Sequence, residues 1–187
     1  QCFRVISVYY QNVRSVRSKV NNLYCFLTNL EYDFICLTET WLDPSVSSSE
    51  LIPKSYSVYR KDRNFEATGR SRGGGVLLAL HEKFNATGID LSNICFPDLI
   101  DVVGCTLCCR SLKICILVVY VPPDVSVDDF EYFVDCVENL IIKYDKCLLV
   151  GDLNVPNFLG KTNDAKSNCV HNMASFLNIV QSNTILN

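Results

Sequence analysis

The sequence predicts an α/β fold in which two mixed β-sheets are covered by helices. Three observations lead there. Short apolar runs such as Phe34–Leu37, Val76–Leu80 and Cys147–Val150 read as strands buried on both faces. Apolar residues at helical spacing lie between several of these runs. The connections are of both kinds, a tight hairpin turn in one place and helical crossovers in others, which mixed sheets require.

Phe3 to Tyr9 alternates and is rich in β-formers, so it reads as a first strand. Val20, Leu23, Tyr24, Leu27 and Leu30 then recur at helical spacing, with Ser18 placed to cap the helix. Phe34 to Leu37 is a short strand ending at Thr38-Glu39, and Asp43-Pro44 with Ser47-Ser48-Ser49 forms a loop. Tyr56 to Tyr59 reads as a further short strand, and Gly73-Gly74-Gly75 leads into the Val76–Leu80 strand. Leu99–Cys108 and Leu112–Tyr120 form two long strands joined by the turn Cys109-Arg110-Ser111. Pro122-Pro123 ends the second of these, because proline cannot donate to a ladder. Ser126 caps a helix over about Val127–Tyr144, with Phe130, Phe133, Val134, Val137 and Ile141 on one face. A strand over Cys147–Val150 runs into Gly151-Asp152, and a last helix spans about Cys169–Val180.

Composition narrows the class. At 187 residues, 49% of them hydrophobic and 20% charged, the chain suits one domain with a real core rather than a disordered segment. No apolar run approaches the length of a membrane span, so no membrane partner is expected. Eleven cysteines are many, but Cys36, Cys115 and Cys147 lie in apolar runs and read as small buried hydrophobes. The count is odd, and a reducing, intracellular compartment is the expectation. Net charge is −3, yet residues 1–83 carry 11 Lys/Arg against 8 Asp/Glu while residues 84–187 carry 6 against 12. The basic half holds one dense stretch from Arg60 to Arg72, which could dock a polyanion or be a solvated loop.

Polar residues just beyond the ends of apolar strands are where chemistry would sit. Asn12 follows the first strand, Glu39 the Phe34–Thr38 run, and Tyr120 ends the long strand before Pro122. Asp152 and Asn154 follow Cys147–Gly151 two residues apart, so in an extended segment they would point the same way. A carboxylate at the end of a buried strand is costly unless a cation meets it, which makes Glu39 a candidate ligand for a hard divalent metal. The alternative is a surface glutamate at a strand end. Asp152 could polarise a water and Asn154 could hold a phosphate oxygen, although Gly-Asp is also an ordinary turn.

Other patterns carry less. Cys105, Cys108, Cys109 and Cys115 lack the second pair that a zinc site needs. The triple glycine is not followed by Gly-Lys-Ser/Thr, so it is no P-loop. Neither His81 nor His171 has a nucleophile beside it.

Taken in order, five segments resemble one family: Gln11-Asn12-Val13-Arg14-Ser15, Leu37-Thr38-Glu39-Thr40-Trp41-Leu42, Arg72-Gly73-Gly74-Gly75-Val76, Tyr120-Val121-Pro122-Pro123 and Gly151-Asp152-Leu153-Asn154. They look like the successive motifs of the endonuclease domains of LINE-type (non-LTR) retrotransposons, relatives of exonuclease III within the endonuclease/exonuclease/phosphatase superfamily. The resemblance implies a four-layer α/β sandwich formed by a single domain over residues 1–187, with its site at one rim. It implies Mg²⁺, or Mn²⁺, held by Glu39, with Asn12 organising Glu39 and the phosphate. Tyr120 would contact the scissile phosphate, and Asp152 would position the attacking water with Asn154 beside it. Arg14, Arg70 and Arg72 are the expected substrate contacts. The implied reaction nicks DNA to leave a 3′-hydroxyl that primes reverse transcription in the nucleus, by a protein in which a reverse transcriptase domain follows.

Two departures bear on this. The family's closing Ser-Asp-His motif has no counterpart here, so the resemblance implies a domain incomplete at its C-terminus, with the last strands missing. Thr184-Ile185-Leu186-Asn187 looks like the segment where the family has Leu-Asp, with Asn187 in place of the acid. Two further readings stay open beside the endonuclease: a superfamily phosphodiesterase or phosphatase acting on a small phosphate ester, and a decayed or domesticated fragment that binds nucleic acid without catalysis.

Overall fold

The computed structural model describes residues 5–29, 31–155 and 164–180. Eight strands build two four-stranded mixed sheets. The first has the order β1-β2-β4-β3, from β1 (Val8–Asn12), β2 (Phe34–Thr38), β3 (Tyr56–Lys61) and β4 (Val76–His81). In the second, β5-β6-β7-β8, the strands are β5 (Ala86–Gly88), β6 (Asp101–Cys109), β7 (Leu112–Tyr120) and β8 (Lys146–Asp152). Each sheet carries one parallel pair, β1 with β2 and β7 with β8, and its other pairings are antiparallel. Helix α1 (Val20–Asn29) lies over the first sheet, whereas α3 (Val127–Ile141) and α4 (Ala165–Phe176) lie over the second.

Period-two alternation along apolar strands makes the four layers. Phe34, Cys36, Val76, Leu78 and Leu80 point from the first sheet into the gap between the sheets. There they meet Cys105, Leu107, Ile116, Val118 and Tyr120 from the second. The alternate residues of the same strands, Ile35, Leu37, Leu77 and Ala79, pack outward against Leu23 and Leu27 of α1. Val102, Cys115, Leu117 and Val119 do the same against Phe130, Phe133 and Val137 of α3 and Met173 of α4. The expected α/β sandwich is therefore the fold, and the continuous apolar runs belong to strands buried on both faces.

Several boundaries differ from expectation. β1 starts at Val8 rather than Phe3, and Asn12 is its last residue instead of following it. Its extent is set by its partner: the ladder opens at Val8↔Phe34, and just before it the Ser7 amide donates to the Asp33 carboxylate at 2.8 Å. Lys19, not Ser18, sits at the head of α1, its carbonyl accepting from Leu23 N. α3 is capped by Ser126 as expected, with Oγ accepting from Asp129 N at 3.0 Å, but ends at Ile141. α4 begins four residues before Cys169, because Asp164 caps it, and stops at Phe176, close before Asn178 turns left-handed (φ 51°). The one-turn α2 (Phe65–Thr68) and the three-residue β5 were not expected, being too short for any periodicity to show.

Phe3, Leu30 and the Thr184–Asn187 segment lie outside the described residues. Among the described residues no helix is long and apolar enough to cross a membrane.

Leu78 sits at the centre of the gap between the sheets, fully buried. Leu78→Ala should lower unfolding free energy by about 3 kcal/mol, measured as the shift of a urea midpoint at unchanged m-value.

Candidate active site at the shared rim of the sheets

The two sheets end together at one rim. Across the second sheet, Asp101, Tyr120 and Asp152 are register partners, so their side chains form one row. Opposite them in the first sheet, Asn12, Thr38 and Val76 form the matching row, with Glu39 one residue beyond it. Four of the residues expected to carry chemistry thus come together: Asn12, Glu39, Tyr120 and Asp152.

Glu39 is held from both sides. Tyr120 Oη donates to its Oε1 at 2.5 Å, reaching across from the other sheet, and Trp41 Nε1 donates to its Oε2 at 3.1 Å. Its backbone is unusual, since Glu39 and Trp41 both have φ of 55°. Such conformations persist only where surrounding bonds impose them. Here the Glu39 carbonyl accepts from Ser15 N, Thr40 N donates to Gly75 O and Trp41 N donates to Gly74 O. The triple glycine therefore backs the Thr-Glu-Thr-Trp segment.

Asp152 is held just as closely. Asn12 Nδ2 donates to Oδ2 at 3.1 Å and the Asn154 amide donates to Oδ1 at 3.0 Å. This corrects two expectations. Asn12 organises Asp152, not Glu39. Asn154 does not extend the strand beside Asp152, because β8 stops at Asp152 and Asn154 has a φ of 48°. Its side-chain amide donates to Val121 O at 2.8 Å, which ties the end of β8 to the end of β7.

Burial pushes the Tyr120 phenol well above its ordinary value, and the bond to Glu39 and that carboxylate's charge add to it, against the pull of Arg63. Tyr120 is thus a persistent donor. Beneath it lies a pair that sequence reasoning missed. Arg63 and Asp101, 5% and 1% exposed, form a buried ion pair at 2.6 Å. The signal was present in Asp101, a lone carboxylate inside an apolar strand. Trp41 lies in one of the motif segments, but its bond to Glu39 is not apparent from the sequence.

The expected substrate arginines are not brought together in the same way. Arg14 is exposed next to Asn12, whose Oδ1 accepts its amide at 3.3 Å. Arg72 is exposed as well. Arg70 instead pairs with Asp124, in the loop after Pro122-Pro123. Within the Arg60–Arg72 stretch, Arg60 also pairs with Asp62 and Arg63 with Asp101, so much of its charge is internally balanced.

A divalent metal fits the donor set. Glu39 and Asp152 are half-buried carboxylates with only two accepted bonds each among those described above, and hard cations take one or two carboxylates plus water and phosphate oxygens. Among the described residues no group of three or more His, Cys, Asp or Glu is placed to hold a metal.

The family model for endonucleases, exonucleases and phosphatases matches residues 10–168, a span that contains every residue of this rim. The chain belongs to the endonuclease/exonuclease/phosphatase family. No curated protein matches it by sequence. Solved structures of similar fold include the endonuclease domain of TRAS1, a telomere-specific non-LTR retrotransposon, at 14% identity and a TM-score of 0.63 over 92% of this chain and 72% of that one. An AP endonuclease from Archaeoglobus fulgidus shows 16% identity and a TM-score of 0.62 over 92% and 71%. The 3′ phosphatase NExo from Neisseria, bound to a product DNA hairpin, shows 13% identity and 0.63 over 91% and 71%. At such identities the likeness is one of fold.

A Cβ at Gly151, where φ is 149°, would lie 1.9 Å from Val119 O. Gly151→Ala should therefore cost about 2–3 kcal/mol, seen as a fall of roughly 4–12 °C in Tm. Because the folded Tyr120 phenol titrates above its unfolded value near 10, its contribution is intact below about pH 10 and is lost as pH rises further. Between about pH 9 and about pH 11, urea midpoints should fall less for Tyr120→Phe than for the wild type.

Proposed function

We propose that this domain hydrolyses phosphodiesters in DNA with the help of a divalent metal, as the endonuclease of a LINE-type retroelement. The observation that carries the reading is the meeting at one rim of two side-chain bonds that each cross between the sheets, Tyr120 to Glu39 and Asn12 to Asp152. Likeness in fold to the TRAS1 endonuclease domain and to an AP endonuclease supports it, as do the motif segments of the family.

In this account Asp152, its carboxylate aimed by Asn12 Nδ2 and Asn154 N, accepts a proton from the attacking water. The new bond from that water oxygen to phosphorus forms as the bond from phosphorus to the 3′ oxygen breaks, and the 3′ oxygen takes a proton from solvent. The products are a 5′-phosphate and a 3′-hydroxyl. Tyr120, after exchanging its bond to Glu39, donates to a phosphate oxygen. Glu39 would hold Mg²⁺ or Mn²⁺, which when bound would withdraw charge from the phosphate and the leaving oxygen. Arg14 and Arg72, exposed beside the rim segments, contact flanking phosphates, while Arg70 must leave Asp124 to do so. The 3′-hydroxyl primes reverse transcription by a domain that follows in the natural protein, and the site of action is the nucleus.

One observation favours a second reading. The internal pairing of Arg60, Arg63 and Arg70 leaves less free cationic surface than a polyanion would use, as suits a small phosphate ester. A supercoiled-plasmid assay on the full natural chain separates the two. The endonuclease reading expects nicking that requires Mg²⁺, stops with EDTA, and falls by about a thousandfold in Glu39→Ala or Asp152→Ala. Turnover of small phosphate esters without nicking would replace it with the second reading. Salt-sensitive DNA binding with no turnover would mark a non-catalytic domain.

A further inference from the structure

We propose that Arg63 and Asp101 are positioning residues that fix the Glu39 carboxylate by two separate routes. The inference rests on the reading of Glu39 as part of the reactive centre. Arg63 follows β3 and runs inward beneath the triple glycine. Its Nη2 donates to Asp101 Oδ2 at 2.6 Å and to Leu99 O at 2.7 Å.

The first route passes through the Tyr120 ring. The guanidinium carbon lies 5.5 Å from the ring centroid, and the hydroxyl of that ring donates to Glu39 Oε1. Asp101 is also the register partner of Tyr120, so the carboxylate that holds Arg63 over the ring sits on the neighbouring strand at the same level.

The second route passes through backbone. Asp101 Oδ2 accepts from Gly75 N at 2.8 Å, and a Cβ on Gly74 would lie 2.2 Å from the Arg63 guanidinium carbon. The glycine segment therefore rests directly on the guanidinium, a contact that only glycine permits. Gly74 O and Gly75 O in turn accept from Trp41 N and Thr40 N, the two residues that follow Glu39. Trp41 closes the route through its indole bond to Oε2.

The energetics point the same way. Arg63 Nε and Asp101 Oδ1 are buried without a hydrogen-bond partner among the described residues. An incompletely satisfied buried ion pair is weak support for stability, and apolar replacements are often neutral or better. What this pair supplies is a fixed plane under Tyr120 and a fixed acceptor for Gly75.

The test compares Asp101→Asn with the double variant Arg63→Met/Asp101→Asn. The double variant removes both charges yet keeps an oxygen able to accept from Gly75, so it is the one expected to fold well, checked by its melting curve. Trp41 is the sole tryptophan, so its emission reports the Glu39 segment in metal-free protein. A positioning role expects a folded double variant with shifted Trp41 emission. It also expects kcat for plasmid nicking to be down about ten- to a hundredfold, with KM within about threefold. A folded variant that keeps wild-type emission, or wild-type kcat where the wild type nicks, overturns the proposal. If the double variant does not melt cooperatively, Asp101→Asn is judged by the same two readouts. Should the wild type prove unable to nick, emission alone decides, so failure of the endonuclease reading stays separate from failure of this one.

Discussion

The hydrogen bond from Tyr120 to Glu39 is the constraint on which the rim depends. It joins side chains from different sheets, and each is placed by a different ladder. Register errors of one residue would turn either side chain to the opposite face of its sheet. Tyr120 points into the gap between the sheets because Ile116 and Val118 do, and Glu39 arrives at the rim because β2 is pinned between β1 and β4. The packing of the apolar core thus sets the geometry of the polar end. A further bond between the sheets at this rim, Asn12 to Asp152, uses the outer strand of each.

Electrostatics at this rim are local. Net charge is −3, and three of the arginines that a linear reading would assign to an anion-binding patch are engaged with carboxylates. Two of those pairs are structural in different ways. Arg60 fastens the loop before β3, donating to Asp43 O and Val46 O, whereas Arg63 is sealed beneath the site. Arg70 and Asp124 form a more exposed pair between the triple-glycine arm and the loop after β7. An exposed pair of this kind contributes little to stability.

Much of this was legible in the sequence. Apolar runs of strand length gave β2, β4, β7 and β8, since strands buried on both faces need no alternation to be seen. Polar residues at their ends marked Glu39, Tyr120 and Asp152. What stayed hidden depended on partners far away in the chain. β1 is displaced because its span is dictated by Phe34–Thr38 and not by its own alternation. The bond from Asn12 to Asp152 is invisible in the sequence because nothing local says that β1 and β8 end side by side. Arg63 looked like one more surface cation in a basic stretch, and only the approach of β6 makes it a buried one. Asn154 lies beside Asp152 but off the line of the strand, because a left-handed residue turns the chain there.

Glu39, clamped by Tyr120 and Trp41, is the proposed anchor for a divalent cation. Electron paramagnetic resonance of Mn²⁺ added to the metal-free protein addresses it without reference to any substrate. The expected result is one bound Mn²⁺ per chain in the wild type and loss of most of that binding in Glu39→Gln, with the melting curve retained. Binding of Mn²⁺ that is the same in both proteins would contradict the account.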